Sequence, residues 1–239
     1  MVSARELDRP AKNGKQRANE LPLRVYSSIV LGALALAVTW AGGMLFALFW
    51  LAAAVGVVWE WVRITAWRPL WLAGGTAYAG IFVAAMLTLR SDPRLGFVTL
   101  IWLFALVWTA DIAAYFAGRA FGGRKLWPAV SPNKTWSGAI SGTIAGPLAG
   151  AGVIAVAGLS LRPVHFALML AIVIAAQLGD LMESAVKRRF GVKDSSHLIP
   201  GHGGLMDRCD SLIAAAAAAL LLGLARAGTN APAEGLLSW

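Results

Sequence analysis

The sequence predicts an all-α, polytopic membrane protein of about seven transmembrane helices with a cytoplasmic N-terminus. Three observations lead there. Of the 239 residues, 58% are hydrophobic and 14% are charged, and the mean hydropathy is +0.66. The apolar residues fall into successive lengths of about 20, each able to cross a hydrocarbon core of ~30 Å as a helix. The basic residues between those lengths are placed asymmetrically. With the N-terminus inside, only Arg90, Arg94, Arg162 and Arg226 of the 21 Lys and Arg fall on the outer side, as the positive-inside rule requires.

The elements follow in order. Residues 1–23, including RELDRPAKNGKQRANE, offer no apolar face and read as a disordered cytoplasmic tail able to bind anionic lipid weakly. The charged stretch is long, and the apolar span after it has no convincing small-residue cleavage site, so a cleaved signal peptide is not expected. Spans are expected at 25–41, 43–59, 70–89, 97–117, 137–161, 164–178 and 211–224. Residues 24–95 then form the N-terminal transmembrane helices, and 96–239 form a catalytic transmembrane domain with its cytoplasmic loops. The fifth span carries Gly138, Gly142, Gly146 and Gly150 at four-residue spacing, a pattern suited to close helix packing. No fixed-period repeat is visible.

Composition also excludes. The net charge of +9 resembles that of a nucleic-acid binder, but most of the excess lies in positive-inside loops, so no nucleic-acid partner is expected. A single cysteine, Cys209, rules out an intrachain disulfide and any multi-cysteine metal site.

Against this apolar background the run 184–210, SAVKRRFGVKDSSHLIPGHGGLMDRCD, stands out. An ionisable group near hydrocarbon costs at least roughly 2.5–3.5 kcal/mol on insertion scales, so such a cluster is a functional hypothesis by default. On the sixth span Gln177, Asp180, Ser184 and Lys187 recur at three- and four-residue intervals, with Glu183 beside them, and share one helix face. Asp111, Tyr115 and Arg119 form a second stripe on the fourth span, and Asp207 and Asp210 open the seventh helix one turn apart. Simpler uses exist for single members. Asp207 or Asp210 could cap the last helix, Asp111 could pair with Arg119, and Lys187, Arg188 and Arg189 could be positive-inside anchors. A cap explains one acid, whereas Asp111, Asp180 and Asp207 converge from three helix ends.

Phosphoryl or nucleotidyl transfer suits such a constellation. Carboxylates hold Mg²⁺, which retains waters and substrate phosphates, while Lys and Arg neutralise the remaining phosphate charge. In-line displacement at phosphorus depends mainly on positioning and electrostatic stabilisation. The Gly203–Gly204 pair permits backbone N–H groups to approach an anion closely.

The run closely resembles the signature of the phosphatidate cytidylyltransferases, also called CDP-diacylglycerol synthases. The matching residues are Ser184, Lys187, Arg188, Lys193, Asp194, His202, Gly203, Gly204, Asp207, Arg208 and Asp210. Cys209 stands where an apolar residue or Thr is usual. Asp111, Tyr115, Gly118 and Arg119 resemble a second family segment, and Ser131, Lys134, Thr135 and Gly138 a third. The resemblance covers roughly the second half of the chain.

That resemblance implies attack by a phosphate oxygen of phosphatidic acid on the α-phosphorus of CTP, giving CDP-diacylglycerol and pyrophosphate. It implies Mg²⁺ on Asp180 and Asp207, a second, monovalent cation such as K⁺, and a membrane homodimer. Lys187, Arg188, Lys193 and Arg208 are expected to hold phosphates, with Asp194, His202 and Asp207 completing the catalytic group. Asp111, Tyr115, Arg119, Ser131, Lys134, Thr135, Ser184, Gly203, Gly204 and Asp210 are expected to contact substrate, with Ser131, Lys134 and Thr135 on a phosphate-contacting loop that could also be a plain turn. The implied location is a bacterial inner membrane, with the site facing the cytoplasm, where CTP meets membrane lipids. Two other readings compete: a CTP-dependent polyprenol or dolichol kinase-like phosphotransferase, and a secondary transporter using Asp111 and Asp180 as coupling-ion sites.

Overall fold

The computed structural model describes residues 14–196, 198–199, 203–228 and 231–239. The elements run α1 (Gly14–Ala41), α2 (Gly43–Thr65), α3 (Pro69–Arg90), α4 (Gly96–Ala120), β1 (Lys125–Trp127) and β2 (Ser131–Thr135). They continue with α5 (Trp136–Val156), α6 (Pro163–Arg189), α7 (Met206–Ala227) and α8 (Pro232–Leu237). Helices α2 to α7 are each long and apolar enough to cross a membrane, and α1 contributes a shorter apolar helix, Tyr26–Ala41. The protein is an all-α integral membrane protein.

Local chemistry explains where the helices stop. Between α1 and α2, Gly42 and Gly43 hold φ of 65° and 55°, a left-handed conformation that glycine adopts without steric cost. Gly42 is also tight in space, since a Cβ there would lie 2.6 Å from an Arg90 guanidinium nitrogen. Pro69 opens α3 at a position where the missing N–H is harmless. Asp92 accepts from the backbone N–H of Arg94 at 2.8 Å and of Leu95 at 2.7 Å, shaping the entry to α4. Thr135 caps α5 through its hydroxyl, which accepts from Gly138 N at 3.2 Å.

Some elements differ from expectation. Helix α1 begins at Gly14, inside the stretch expected as a tail, while residues 1–13 lie outside the described ones. Helix α6 runs on to Arg189 rather than ending near 178, because its polar residues find partners inside the protein. The stretch 125–135, expected as a loop, is an antiparallel hairpin in which Lys125 faces Thr135 and Trp127 faces Ser131. The short α8 was not anticipated, and its Ala233, Leu236 and Leu237 are fully or almost fully buried.

Contacts near the ends sort the helices into two polar layers. Arg90, at the end of α3, donates to Thr39 O near the end of α1 at 2.9 Å. Arg94 pairs with Glu234 at 4.0 Å, and Arg226 at the end of α7 donates to Glu234 O at 3.1 Å. The ends of α2, α4 and α6, the hairpin and the start of α7 form the opposite layer. Between the layers lies a core in which Trp50 of α2 meets Phe82 of α3 edge to face at 5.3 Å, with Phe104 of α4 beside it at 6.2 Å.

The glycine stripe of α5 packs against α4 and α6. A Cβ on Gly142 would come within 2.7 Å of Ala110 O, and one on Gly150 within 2.7 Å of both Leu106 and Met169. Gly152, on the exposed side, has nothing within 4 Å. Gly142→Leu is therefore expected to destabilise the bundle by about 1–3 kcal/mol through overpacking, and Gly152→Leu to leave it unchanged. Thermal melts of the two variants in one detergent check this, and equal melting temperatures would refute it.

Candidate active site

Helix α6 carries the polar stripe that its spacing predicts, and each turn of it reaches a different neighbour. Gln177 donates to Ala139 O at 3.2 Å and to Thr143 Oγ1 at 2.9 Å, tying α6 to α5. Asp180 pairs with Lys134 of β2, both side chains partly exposed. Lys187 sits between two buried carboxylates, 2.5 Å from Glu183 Oε2 and 2.5 Å from Asp207 Oδ1. The lysine expected to hold a substrate phosphate is thus engaged inside the protein, and its charge is balanced there. Ser184 lies half-buried on the same helix.

Asp207, in the first turn of α7, is held by four donors. Besides Lys187, it receives bonds at Oδ2 from Ser195 N at 3.0 Å, Ser195 Oγ at 2.8 Å and Gly204 N at 2.8 Å. The Gly-Gly turn does present its N–H to an anion, and in this structure that anion is the carboxylate of Asp207. Gly203 has φ of +91°, where a side chain would be strained. Gly204 needs its missing Cβ for room, since an added one would collide with Ser195 Oγ and lie 2.7 Å from both carboxylate oxygens of Glu60.

Glu60 was not among the expected site residues. It lies on α2, is 0% exposed, and accepts four bonds from one distant segment. Oε1 receives Ser196 Oγ at 2.5 Å and Leu205 N at 2.8 Å, while Oε2 receives Ser195 Oγ at 3.1 Å and Met206 N at 2.6 Å. The free N–H groups at the start of α7 are thereby satisfied from another helix. A signal for it existed, namely one acid within the apolar stretch AVGVVWEWV. It falls just past the expected end of the second span, where an acid reads as part of a loop.

Asp111, Asp180 and Asp210 lie within electrostatic reach of one another, with Lys134 and Arg208 acting on Asp111. Ser211 Oγ donates to Asp111 at 3.5 Å, and Tyr78 of α3 donates to Asp210 O at 3.4 Å. Arg119 does not serve Asp111; its guanidinium donates to Tyr115 Oη at 2.7 Å and lies 5.4 Å from that ring's centre. Among the described residues no three acidic, His or Cys side chains close around a metal position. The donor set still suits Mg²⁺, which commonly takes one or two carboxylates and completes its shell with water and substrate phosphate. Asp180 and its acidic neighbours supply such oxygens, whereas Asp207 would have to exchange an existing partner.

The remaining expected residues divide by commitment. Thr135 is buried as the cap of α5, and Ser131 is paired in the hairpin. Arg188 donates to Val130 O at 3.3 Å and Val192 O at 3.1 Å, fastening the hairpin to the end of α6. Lys193, Asp194 and Arg208 have exposed side chains. His202 lies outside the described residues.

Carboxylates gathered with Lys and Arg side chains at the ends of apolar helices suit a nucleotidyltransferase. The chain belongs to the cytidylyltransferase family, whose profile matches residues 65–224. Its relatives include the phosphatidate cytidylyltransferase of Brucella suis, 40% identical over 90% of this chain and 97% of that protein. The phosphatidate cytidylyltransferase of Rickettsia bellii is 34% identical, covering 83% of this chain and 88% of its own. That of Haemophilus influenzae is 49% identical over 56% of this chain and 50% of its own.

Removing the cation between Glu183 and Asp207 leaves two buried carboxylates facing each other. Lys187→Met is expected to cost about 3–5 kcal/mol of stability, and adding Glu183→Gln to recover part of it. Melting temperatures of the single and double variants check this; a double variant less stable than Lys187→Met would refute the pairing.

Proposed function

We infer that the protein is a phosphatidate cytidylyltransferase, converting CTP and phosphatidic acid into CDP-diacylglycerol and pyrophosphate in phospholipid biosynthesis. One observation carries the reading. The three segments on which the family resemblance rests, around Asp111, Lys134 and the run 184–210, are brought together by Arg188–Val130 within the run and by Asp180–Lys134 and Asp111–Ser211 on its two flanks.

In the reaction a phosphatidate oxygen forms a bond to the α-phosphorus of CTP, and the bond from that phosphorus to pyrophosphate breaks. The nucleophile is already anionic, so the site needs no strong base. It has to overcome repulsion between two polyanions, which is a task for fixed positive charge. Exposed Lys193 and Arg208, with Lys134 once released from Asp180, are assigned to the phosphates; Arg119 and Tyr115 border the same side on α4. Asp180 would hold Mg²⁺, with Asp111 and Asp210 adjoining, and Asp207 would join them only by giving up Lys187. When bound, the ion would draw charge from the triphosphate. The surplus of carboxylates also supports a companion monovalent cation such as K⁺. The Lys and Arg distribution supports a site facing the cytoplasm, and the bacterial relatives support an inner-membrane location. There the chain is proposed to act as a homodimer among membrane lipids.

The test is the purified chain in mixed micelles with α-labelled CTP, phosphatidic acid and Mg²⁺. Lipid-linked CMP and pyrophosphate are expected, lost on chelation and reduced roughly 10²-fold or more by Asp207→Asn. Formation of a lipid monophosphate and CDP would overturn the assignment.

A further inference from the structure

We propose that Glu60 is a positioning residue for the reaction: from α2 it holds the segment that aims Asp207, through the shared hydroxyl of Ser195. The proposal rests on the cytidylyl-transfer reading above and adds to it a residue from outside the signature run.

The geometry is specific. Ser195 Oγ lies 3.1 Å from Glu60 Oε2 and 2.8 Å from Asp207 Oδ2. A serine has one hydroxyl proton, so it donates to one carboxylate at a time and links the two. The other donors to Asp207, Ser195 N and Gly204 N, adjoin groups that Glu60 holds, Ser196 Oγ and Leu205 N. The two ends of the turn, Ser195–Ser196 and Gly204–Met206, are therefore held by Glu60 and Asp207 together. Displacing Glu60 moves the donors that orient Asp207.

Capping of α7 alone does not account for this arrangement. A cap requires one short side chain at the helix start, and a buried charge drawn from another helix is a costly substitute. Capping explains the bonds to Leu205 N and Met206 N, but not those to the two serine hydroxyls. Nor does it explain the contact that excludes any side chain at Gly204. Glu60 touches no group assigned to substrate, so its effect passes through Asp207.

The experiment uses full-length protein in mixed micelles, comparing wild type with Glu60→Gln, Ser195→Ala and the double variant. Glutamine keeps the length of the side chain and turns an NH₂ group toward donors. Glu60→Gln is expected to lower kcat by about 10–100-fold, the range for groups that orient a metal-binding side chain. KM for CTP and for phosphatidate should stay within about 3-fold, the mark of a contribution made in the transition state. Because both changes act on one path, the double variant should be no slower than the slower single variant. Melting temperature and the alkylation rate of Cys209, buried one turn into α7, report whether the bundle is intact. An unchanged kcat in Glu60→Gln overturns the proposal. Multiplicative effects in the double variant also overturn it. If Glu60→Gln does not fold, Ser195→Ala decides: a kcat equal to wild type refutes the link. Wild-type protein inactive in cytidylyl transfer would refute the function reading instead.

Discussion

The carboxylate of Glu60 is the constraint from which much of the polar layer follows. Burying a charge in a membrane span costs several kcal/mol, and the cost is offset only if its lone pairs are met with good geometry. Four donors meet them, two backbone N–H groups and two hydroxyls. All four come from Ser195, Ser196, Leu205 and Met206, so satisfying Glu60 folds both ends of that stretch against α2. The fold-back explains why Gly204 has no room for a side chain and why Ser195 and Ser196 are buried. It also joins the two parts of the chain, since α2 lies in the first part and α7 in the second.

The charges grade from committed to available. Lys187 is buried, enclosed by Glu183 and Asp207. Lys134 and Asp180 form a pair that solvent reaches. Lys193 and Arg208 are exposed. An enclosed ion pair is expensive to open, because separation strands a buried charge. An exposed pair is worth little and exchanges readily. Incoming phosphates therefore compete for Lys134 far more easily than for Lys187. The signature lysine nearest the chemistry in sequence is the one least free to bind substrate in this arrangement.

Much of the site was legible because helical period is a strong signal in an apolar chain. Gln177, Asp180, Ser184 and Lys187 announce one face by spacing alone, and the partners found at Thr143, Lys134 and Asp207 bear this out. The glycines of α5 announced close packing in the same way. Illegible were the features that depend on which distant group fills a space. Glu60 offers no periodic partner, and its meaning arises only when 195–206 arrives beside it. The 125–135 hairpin contains Pro128 and Pro132 and too few alternating apolar residues to suggest strands, and it is held in part by Arg188. Helix α8 has too few residues to show periodicity, and it forms because its apolar side chains find a place against α7. The pairing of Asp111 with Arg119 failed for a local reason: Tyr115 lies one turn from Arg119 and supplies both an acceptor and an aromatic face.

These features bear on how the reaction gains its rate. Attack by an already anionic phosphate leaves little proton transfer to catalyse, so most of the advantage must come from charges fixed before the substrates arrive. Fixed charge near lipid is difficult to maintain, because a mobile loop would let water and counter-ions relax around it. Here the acid at the start of α7 is held by a lysine, a hydroxyl and two backbone N–H groups. The segment that supplies those donors is itself held by a second buried acid. Three of these four donors are neutral and fix the orientation of the carboxylate, while Lys187, shared with Glu183, offsets its charge. An ion pair in place of each neutral donor would hold the segment as firmly but add buried charges, each needing a partner of its own.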